Sequence, residues 1–251
     1  GRILAMVSKP DYDPNTIASD WEYMINEEGN SSLLNRATQG GYPPGSTFKI
    51  VTALDYYRTY GTVDGFRFDC EGSISRDDYT LTCYDSHVHG SEDLWDAFAY
   101  SCNSAFANMG LQLGAVSLRS TAESLLFNKK LPLSMEYNRS RFPLKANAEK
   151  PEIMQTSIGQ GDTLVSPMHM AMITSAIAND GVMMKPTLID GIVNATGDRV
   201  ASYRSVEYKQ LLTSQEAETL KELMKGVVDY GTATSLSGRG YTVAGKTGTA
   251  E

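Results

Sequence analysis

Apolar side chains return at helical spacing in several long stretches of the chain. Helices are predicted where apolar positions recur every three or four residues, and the stretches that do so are 16–29, 46–60, 91–114, 117–129, 166–181 and 213–231. A polar triplet interrupts the third stretch, so we expect two helices with a break near Ser101. The last stretch begins with Thr213 and Glu216, which have the spacing of a capping box.

Alternating or short apolar stretches indicate strands mainly toward the two ends of the chain. Strands are predicted at residues 2–8, in short pieces within 61–90, in two pieces around the turn "ATGD", and at 240–251. The polar stretch 130–152 is predicted to be a long loop. The pattern favours one α+β domain over residues 1–251, with a helical lobe at roughly 46–180 and a sheet part at roughly 1–15 and 181–251.

The composition excludes several classes of protein. The formal net charge of -8 and the pI of about 5.0 argue against a nucleic-acid partner. No apolar run approaches the ~20 residues of a membrane span. The first residues show neither a charged region nor an apolar core of a signal peptide.

Cysteine and histidine positions leave the redox state open. Cys70 and Cys83 lie in one polar segment and could pair in an oxidising compartment, which leaves Cys102 over. A zinc site at Cys83, His87 and His89 is an alternative, but "HVHG" lacks a second paired cluster. We therefore predict a solvated loop there, no metal and no cofactor.

A serine and a lysine open the helix at 46–60. Ser46 follows "PPG", and Lys49 lies one helical turn later on the same face. A lysine in the first turn opposes the helix dipole, so another role for it is worth considering. A desolvated lysine amine could act as a base toward the serine hydroxyl. The alternative is an N-cap serine beside a solvated lysine.

Two further polar motifs could contribute to a site. Ser101 and Asn103 at the predicted helix break could point a hydroxyl and an amide into a cleft, or simply form a capping turn. Lys246 and Thr247 could hold an anion, and Gly248 removes the Cβ that would keep a ligand from the backbone. The alternative for this last motif is an edge strand with a turn.

The three motifs together form the Ser-x-x-Lys, Ser-x-Asn and Lys-Thr-Gly signature of penicillin-recognising serine enzymes. The chain resembles the transpeptidase domain of penicillin-binding proteins, and the monofunctional class B kind most closely. The resemblance covers nearly the whole chain and includes the segments "GRILAMVSKPDYDPN", "NRATQGGYPPGSTFKI", "GQGDTLVSPMHMA", "VVDYGTATSL" and "KTGTAE". It implies a β-lactamase/transpeptidase-like fold, in which an antiparallel sheet is flanked by helices beside an all-helical lobe. Family members continue with two more strands and a helix, so the sheet is expected to be incomplete here.

The resemblance also implies catalytic roles for residues of the first two motifs. Ser46 would be the nucleophile that accepts the acyl group, and Lys49 its general base. Ser101 would relay a proton between Lys49, Lys246 and the leaving amine. The backbone N–H groups of Ser46 and Thr249 would form the oxyanion hole.

Substrate-binding roles follow in the same way for the remaining motif residues. Asn103 would hydrogen-bond the substrate's amide, while Lys246 and Thr247 would hold its terminal carboxylate with help from Thr249. Gly248 would let the substrate approach the backbone of the Lys-Thr-Gly segment. Peptidoglycan stem peptides ending in D-Ala-D-Ala and β-lactam antibiotics are the implied ligands.

The implied activity is that of a D,D-transpeptidase at the extracytoplasmic face of a bacterial membrane, in a protein that pairs with a membrane glycosyltransferase. One alternative is a β-lactam sensor or an inactive scaffold that keeps the motifs. Another is a serine β-lactamase, which needs a device to activate water. We recognise no convincing deacylation glutamate in the sequence, and the chain has Ser-x-Asn where the lysine-carbamylating enzymes have Ser-x-Val.

Overall fold

The computed structural model describes residues 1–26 and 31–249. Its helices are α1 (Ile17–Asn26), α2 (Lys49–Tyr60), α3 (Leu94–Ala99), α4 (Asn103–Ser124), α5 (Lys150–Ser157), α6 (Pro167–Ala178) and α7 (Ser214–Asp229). Its strands are β1 (Phe68–Cys70), β2 (Ser73–Arg76), β3 (Tyr79–Thr82), β4 (Gly90–Glu92), β5 (Val182–Met184), β6 (Gly191–Val193), β7 (Arg199–Ser202) and β8 (Glu207–Gln210). Short 3-10 helices lie at Gly45–Phe48, Tyr84–Ser86 and Thr234–Leu236.

The predicted helices are confirmed, except that the helix expected at 117–129 is the continuation of α4. Helix α5 was not predicted, and it begins within the stretch 130–152 that was expected to be a loop. The stretch 46–60 begins as a 3-10 turn and becomes α2 at Lys49. The break near Ser101 separates α3 from α4, and α4 bends at Gly114, where the backbone leaves helical angles. Thr213 and Glu216 form the predicted capping box of α7. The predicted helix end at Gly29 lies outside the described residues.

The strands form four two-stranded antiparallel sheets, in which β1 pairs with β4, β2 with β3, β5 with β8 and β6 with β7. The α+β class is therefore confirmed, whereas a single larger sheet is not present among the described residues. The predicted strand at 2–8 is wrong, because only Arg2 forms a bridge, to Thr187. The division into a helical lobe and a sheet part stays a prediction.

The predicted strand at 240–251 is also wrong over its described part. A strand exists only through its ladder of hydrogen bonds, and residues 242–249 pair with no described strand. The backbone N–H of Gly245 instead donates to the carbonyl of Met224 on α7 at 3.0 Å, an ordinary length for such a bond. The segment is thus anchored to a helix rather than to a sheet.

The hydrophobic core surrounds α2. The ring of Phe48 stacks on Phe142 at 5.4 Å between centroids and meets Phe127 edge-on at 5.8 Å. Further along α2, the hydroxyl of Thr52 donates to the carbonyl of Ser157. Residues 49–56 of α2 are all buried, so every side chain at its start is fixed by packing.

Arg58 connects α2 to the C-terminal helix. Its guanidinium donates to both carboxylate oxygens of Glu216 on α7, at 2.7 and 3.2 Å. It also donates to Ser124 at the end of α4. Helices α2, α4 and α7 are therefore held together by one charged cluster.

Across the described ranges, the search for a helix that combines enough length and enough apolar character to cross a membrane finds none.

Candidate active site

Ser46 lies in the 3-10 turn that precedes α2, and a close backbone contact fixes this turn. The N–H of Gly45 donates to the carbonyl of Gly159 at 2.9 Å. Gly159 has a φ of +79°, and a Cβ there would lie 2.0 Å from the Gly45 carbonyl oxygen. Only glycine permits this approach, so the "GQG" segment sets the position of the turn that carries Ser46.

Lys49 is the first residue of α2 and is fully buried. Its Nζ donates to the Ser101 carbonyl at 2.6 Å, to Ser101 Oγ at 3.1 Å and to Asn103 Oδ1 at 2.8 Å. Burial, and then the charge of Lys246, hold the pKa of Lys49 well below its usual value. The three donated bonds use all three N–H groups of the ammonium form. The lowered pKa makes one of these protons easier to remove than from an exposed lysine.

The break between α3 and α4 aims the polar triplet at Lys49. Ser101 adopts a left-handed backbone conformation with a φ of 60°, and Cys102 caps α4 by accepting from the N–H of Ala105. Asn103 accepts from Lys49 and donates from Nδ2 to the carbonyl of Thr82 on β3 at 3.0 Å. The turn at 101–103 therefore both caps α4 and places Ser101 and Asn103 next to Lys49.

Lys246 reaches the same serine as Lys49 does. Its Nζ donates to Ser101 Oγ at 2.8 Å, so this hydroxyl contacts two lysine amines. Burial lowers the pKa of Lys246 to about 7. The expectation that each lysine lowers the other's pKa thus holds in one direction, since Lys246 acts on Lys49 while burial alone explains Lys246.

The rest of the Lys-Thr-Gly motif lies along the turn that carries Ser46. A Cβ on Gly248 would come within 2.8 Å of Thr47 Cγ2, which shows how closely the segment passes. The hydroxyls of Thr247 and Thr232 are 2.7 Å apart. The three motifs, far apart in sequence, therefore converge.

A cleft of about 730 Å³ opens at this convergence. The residues of the three motifs that line it are Ser46, Ser101, Asn103, Thr247, Gly248 and Thr249. The two lysines contact it through the Ser101 hydroxyl. All eight residues singled out in the sequence are thereby brought to one place.

One expected contact, between Ser46 Oγ and Lys49 Nζ, is missing from the hydrogen bonds of residues 1–26 and 31–249. The physical reason is that the Lys49 amine is already engaged by the oxygens of Ser101 and Asn103. Ser46 itself lines the cleft, where a substrate can reach it.

The family model for the penicillin binding protein transpeptidase domain matches residues 1–251. The chain belongs to the penicillin-binding protein transpeptidase family. This confirms the resemblance inferred from the motifs.

Relatives and solved structures agree with this family. Peptidoglycan D,D-transpeptidase PbpA of Mycolicibacterium smegmatis is 31% identical over 100% of this chain and 53% of the relative. The D,D-transpeptidase domain of a peptidoglycan glycosyltransferase from Eggerthella lenta has a TM-score of 0.89 and 32% identity, covering 99% of this chain and 63% of that one. The ceftriaxone acyl-enzyme complex of penicillin-binding protein A from Mycobacterium tuberculosis has a TM-score of 0.88 and 30% identity, covering 99% and 58%. The chain spans about half the length of the curated relatives it matches.

Several residues that line this cleft were not predicted from the sequence. Thr232 and Tyr100 line it, as does the segment 79–85. Thr232 lies in the "GTATSL" stretch, and nothing in that stretch predicts a contact with Thr247. The Gly- and Asp-rich character of 61–90 was the only available sign that this segment could border a site.

Proposed function

We propose that this chain is the catalytic domain of a peptidoglycan D,D-transpeptidase that works through an acyl-enzyme on Ser46. The observation that carries the proposal is the convergence of the Lys49 and Lys246 amines on Ser101 Oγ, in the cleft that Ser46 also lines. Bringing two lysine amines out of water to one hydroxyl is costly, because burial removes the hydration of each charged form. A pathway for protons between a nucleophile and a leaving group supplies a reason for that cost.

Acylation starts with the neutral amine of Lys49. As Ser46 Oγ attacks the carbonyl of the penultimate D-Ala, its proton passes to Lys49 Nζ and a C–O bond forms. The C–N bond then breaks, and the terminal D-Ala leaves as an amine that needs a proton. Ser101 Oγ, in contact with both lysine amines, hands a proton to that nitrogen and is reprotonated by Lys49.

The oxyanion of the tetrahedral intermediate is stabilised by two backbone donors in this proposal. The N–H of Ser46 lies at the start of the 3-10 helix, where backbone donors have no partner in the helix itself. The N–H of Thr249 is assigned as the second donor, since Thr249 lines the same cleft. Donors fixed in advance at the developing charge are worth about 10²–10³ in rate.

Substrate binding is assigned to the second and third motifs. Protonated Lys246, with the hydroxyls of Thr247 and Thr249, holds the terminal carboxylate. Asn103 contacts the peptide amide, and Gly248 leaves the backbone open to an extended peptide. A stem-peptide donor ending in D-Ala-D-Ala carries the carboxylate and the amides that this arrangement requires.

The second half-reaction transfers the acyl group to an amine from a neighbouring stem peptide. As the amine attacks the ester carbon and the new C–N bond forms, its proton passes through Ser101 Oγ to Lys49 Nζ. The C–O bond to Ser46 then breaks, and Lys49 gives that proton to the serine oxygen. A β-lactam acylates Ser46 in the same way, but its leaving nitrogen stays tethered by the opened ring and blocks the acceptor. The β-lactam acyl-enzyme of the Mycobacterium tuberculosis relative supports this proposal.

We also propose that the full protein acts at the extracytoplasmic face of the cell membrane and cooperates with a membrane glycosyltransferase. The support is that one similar solved domain belongs to a peptidoglycan glycosyltransferase. The glycosyltransferase would make the glycan strand, and the full protein containing this domain would then cross-link the stem peptides of that strand.

The activity is tested by supplying a stem pentapeptide ending in D-Ala-D-Ala together with a labelled D-amino acid as acceptor. A transpeptidase releases D-Ala and incorporates the label in a reaction that Ser46→Ala abolishes. A β-lactam sensor would be acylated by penicillin without exchanging the label. A β-lactamase would turn over nitrocefin rapidly, and either result would contradict the proposal.

A further inference from the structure

Three cysteines and one histidine meet beside the cleft. Cys70 ends β1, Cys83 follows β3, His89 precedes β4, and Cys102 caps α4. Their ligand atoms all lie within 4.8 Å of one another, and the three cysteines are buried and free of disulfides. Four groups that commonly bind metals are therefore gathered from four elements at one point.

We propose that these four side chains bind one zinc ion. The Sγ atoms of Cys70 and Cys83 are 3.7 Å apart, those of Cys83 and Cys102 are 3.8 Å apart, and Cys70 Sγ lies 3.4 Å from His89 Nδ1. A tetrahedral zinc with Zn–S of ~2.3 Å and Zn–N of ~2.0 Å requires ~3.8 Å between sulfurs and ~3.5 Å between sulfur and nitrogen. These three of the six edges match, and the other three are no longer than 4.8 Å.

The backbone explains why the four residues arrive together. In the pairing of β1 with β4, Cys70 lies opposite Gly90, the residue after His89. The N–H of Cys83 donates to the carbonyl of Gly72 at 2.9 Å, which draws the end of β3 toward the end of β1. Cys102 completes the set from the break between α3 and α4. The small antiparallel sheets thus act as the scaffold of the site.

A disulfide or simple core packing accounts for less of the geometry. A disulfide has an S–S length of ~2.0 Å and would use two of the sulfurs, leaving the third sulfur and the imidazole without a reason to converge. Thiols packed in a core also touch at similar separations, and one S–H···N hydrogen bond would account for Cys70 and His89 alone, but neither gathers all four groups at one point. Ser104 Oγ lies 3.2 Å from Cys83 Sγ, as expected of a group that supports a thiolate from outside the metal.

The sequence led to the opposite prediction, of no metal at Cys83, His87 and His89. The set Cys83, His87 and His89 was incomplete. Cys70 and Cys102 belong to other elements, and no short sequence spacing connects either of them to the histidines. The set also contained one residue outside the cluster. His87 contributes no ligand atom and instead meets the His89 ring edge-on at 4.7 Å between centroids.

The proposed zinc has a consequence for the active site. Cys102 stands between Ser101 and Asn103, and a Zn–S bond would fix the turn that aims both side chains at Lys49. Cys102 would then be a positioning residue for the reaction. This coupling rests on the proposed function, whereas the metal site itself does not.

The metal site is tested by elemental analysis of the protein purified under reducing conditions. We expect one zinc per chain, and cobalt added to the metal-free protein should give the absorption of tetrahedral thiolate coordination. His89→Gln should weaken zinc binding at least tenfold, as even groups outside the coordination sphere are worth about 10–100-fold. His87→Gln is the matched control and should keep the zinc.

Several results would overturn the site. They are a reduced protein that takes up no zinc, a disulfide between two of the three cysteines in the active protein, or equal loss of zinc in the two histidine variants. If Cys83→Ser fails to fold, the wild-type stoichiometry and the histidine pair still decide the question.

The coupling is tested on the wild-type protein with a zinc chelator. Chelation should slow penicillin acylation at least tenfold, and added Zn²⁺ should restore it. Loss of zinc with an unchanged acylation rate would overturn the positioning role of Cys102 while leaving the metal site standing.

Discussion

The two walls of the cleft are built differently. One wall carries Lys49, Ser101 and Asn103 at the ends of buried helices, where packing and several hydrogen bonds fix each side chain. The other is the segment 242–249, which has no strand partner among the described residues and is tied to α7 by the N–H of Gly245. In the proposed mechanism, the proton chemistry lies on the rigid wall and carboxylate recognition on the less constrained one.

The two lysines show the same contrast in electrostatic form. Lys49 is fully buried, and its pKa lies well below the usual value because of burial and the nearby charge of Lys246. Lys246 is half-buried, and burial lowers its pKa to about 7. One amine is suited to accept a proton, while the other can carry its charge to an anion near neutral pH.

Removing the base should give the largest effect on the rigid wall. Lys49→Met keeps most of the volume but deletes the amine, so we expect acylation by a fluorescent penicillin to slow about 10²–10⁴-fold, the usual value of general base catalysis. Stopped-flow labelling measures the rate. Lys150→Met removes an exposed lysine that pairs with Asp77 and is the matched control. An acylation rate near that of the wild type in Lys49→Met would assign the base to another group.

The pH dependence should separate the two walls. In the proposed mechanism acylation needs neutral Lys49, so its rate should fall at low pH as that amine gains a proton. It also needs protonated Lys246 to hold the carboxylate, so it should fall above about pH 7, by roughly tenfold per unit at most. Arginine stays charged, and Lys246→Arg should therefore lose the alkaline limb while keeping the acid limb. An unchanged alkaline limb in that variant would contradict the assignment.

The threonine pair tests the less constrained wall with a smaller effect. Thr247→Val removes a hydroxyl proposed to bind a carboxylate, which is worth ~1.5–3 kcal/mol, or roughly 10–100-fold in acylation. Thr232→Val removes the hydroxyl that contacts Thr247 and should cost a few-fold, appearing in reversible binding rather than in the chemical step. Thr232→Ser should restore the rate. A larger loss in Thr232→Val than in Thr247→Val would reverse the proposed order of contacts.

The ion pair between α2 and α7 should matter for stability more than for activity. Glu216 is the N3 member of the capping box and also accepts from Arg58, so Glu216→Ala should lower the free energy of unfolding by about 1–3 kcal/mol. Burial opposes ionisation of Glu216, but hydrogen bonds from Arg58 and the Thr213 N–H keep its pKa below the usual value. Glu216 therefore stabilises the fold fully at a pH above its pKa in the unfolded chain. This stabilisation is lost as the pH falls through the lower pKa that Glu216 has in the folded protein. Thermal unfolding against pH measures this; equal acid sensitivity in Glu216→Ala would contradict it.

Local sequence patterns predicted the rigid wall well. Apolar periodicity marks α2 and α4, and the polar triplet at 101–103 marks the break between helices that aims Ser101 and Asn103. The unfavourable position of Lys49 in a first turn drew attention to a residue that the structure shows to be buried and hydrogen-bonded to Ser101 and Asn103. Each of these signals resides within one turn of helix, where neighbours in sequence are neighbours in space.

Features that depend on distant partners could not be predicted in this way. A strand at 240–251 needs a neighbouring strand, and alternation alone does not supply one. Thr232 contacts Thr247 only through the fold, and Cys70 meets Cys102 only after β1 and α4 have been placed. The segment 242–249 and the cysteine cluster are for this reason where the structure adds most.

The most direct test of the acyl-transfer site is to locate the penicillin adduct. After exposure to benzylpenicillin, the intact protein should gain the mass of one opened β-lactam, and peptide mapping should find it on Ser46. Ser46→Ala should gain no mass while unfolding at nearly the same temperature, because loss of a helix-start serine costs only ~1 kcal/mol. An adduct on another residue, or one retained in Ser46→Ala, would contradict the central claim that the three motifs form a single site around this hydroxyl.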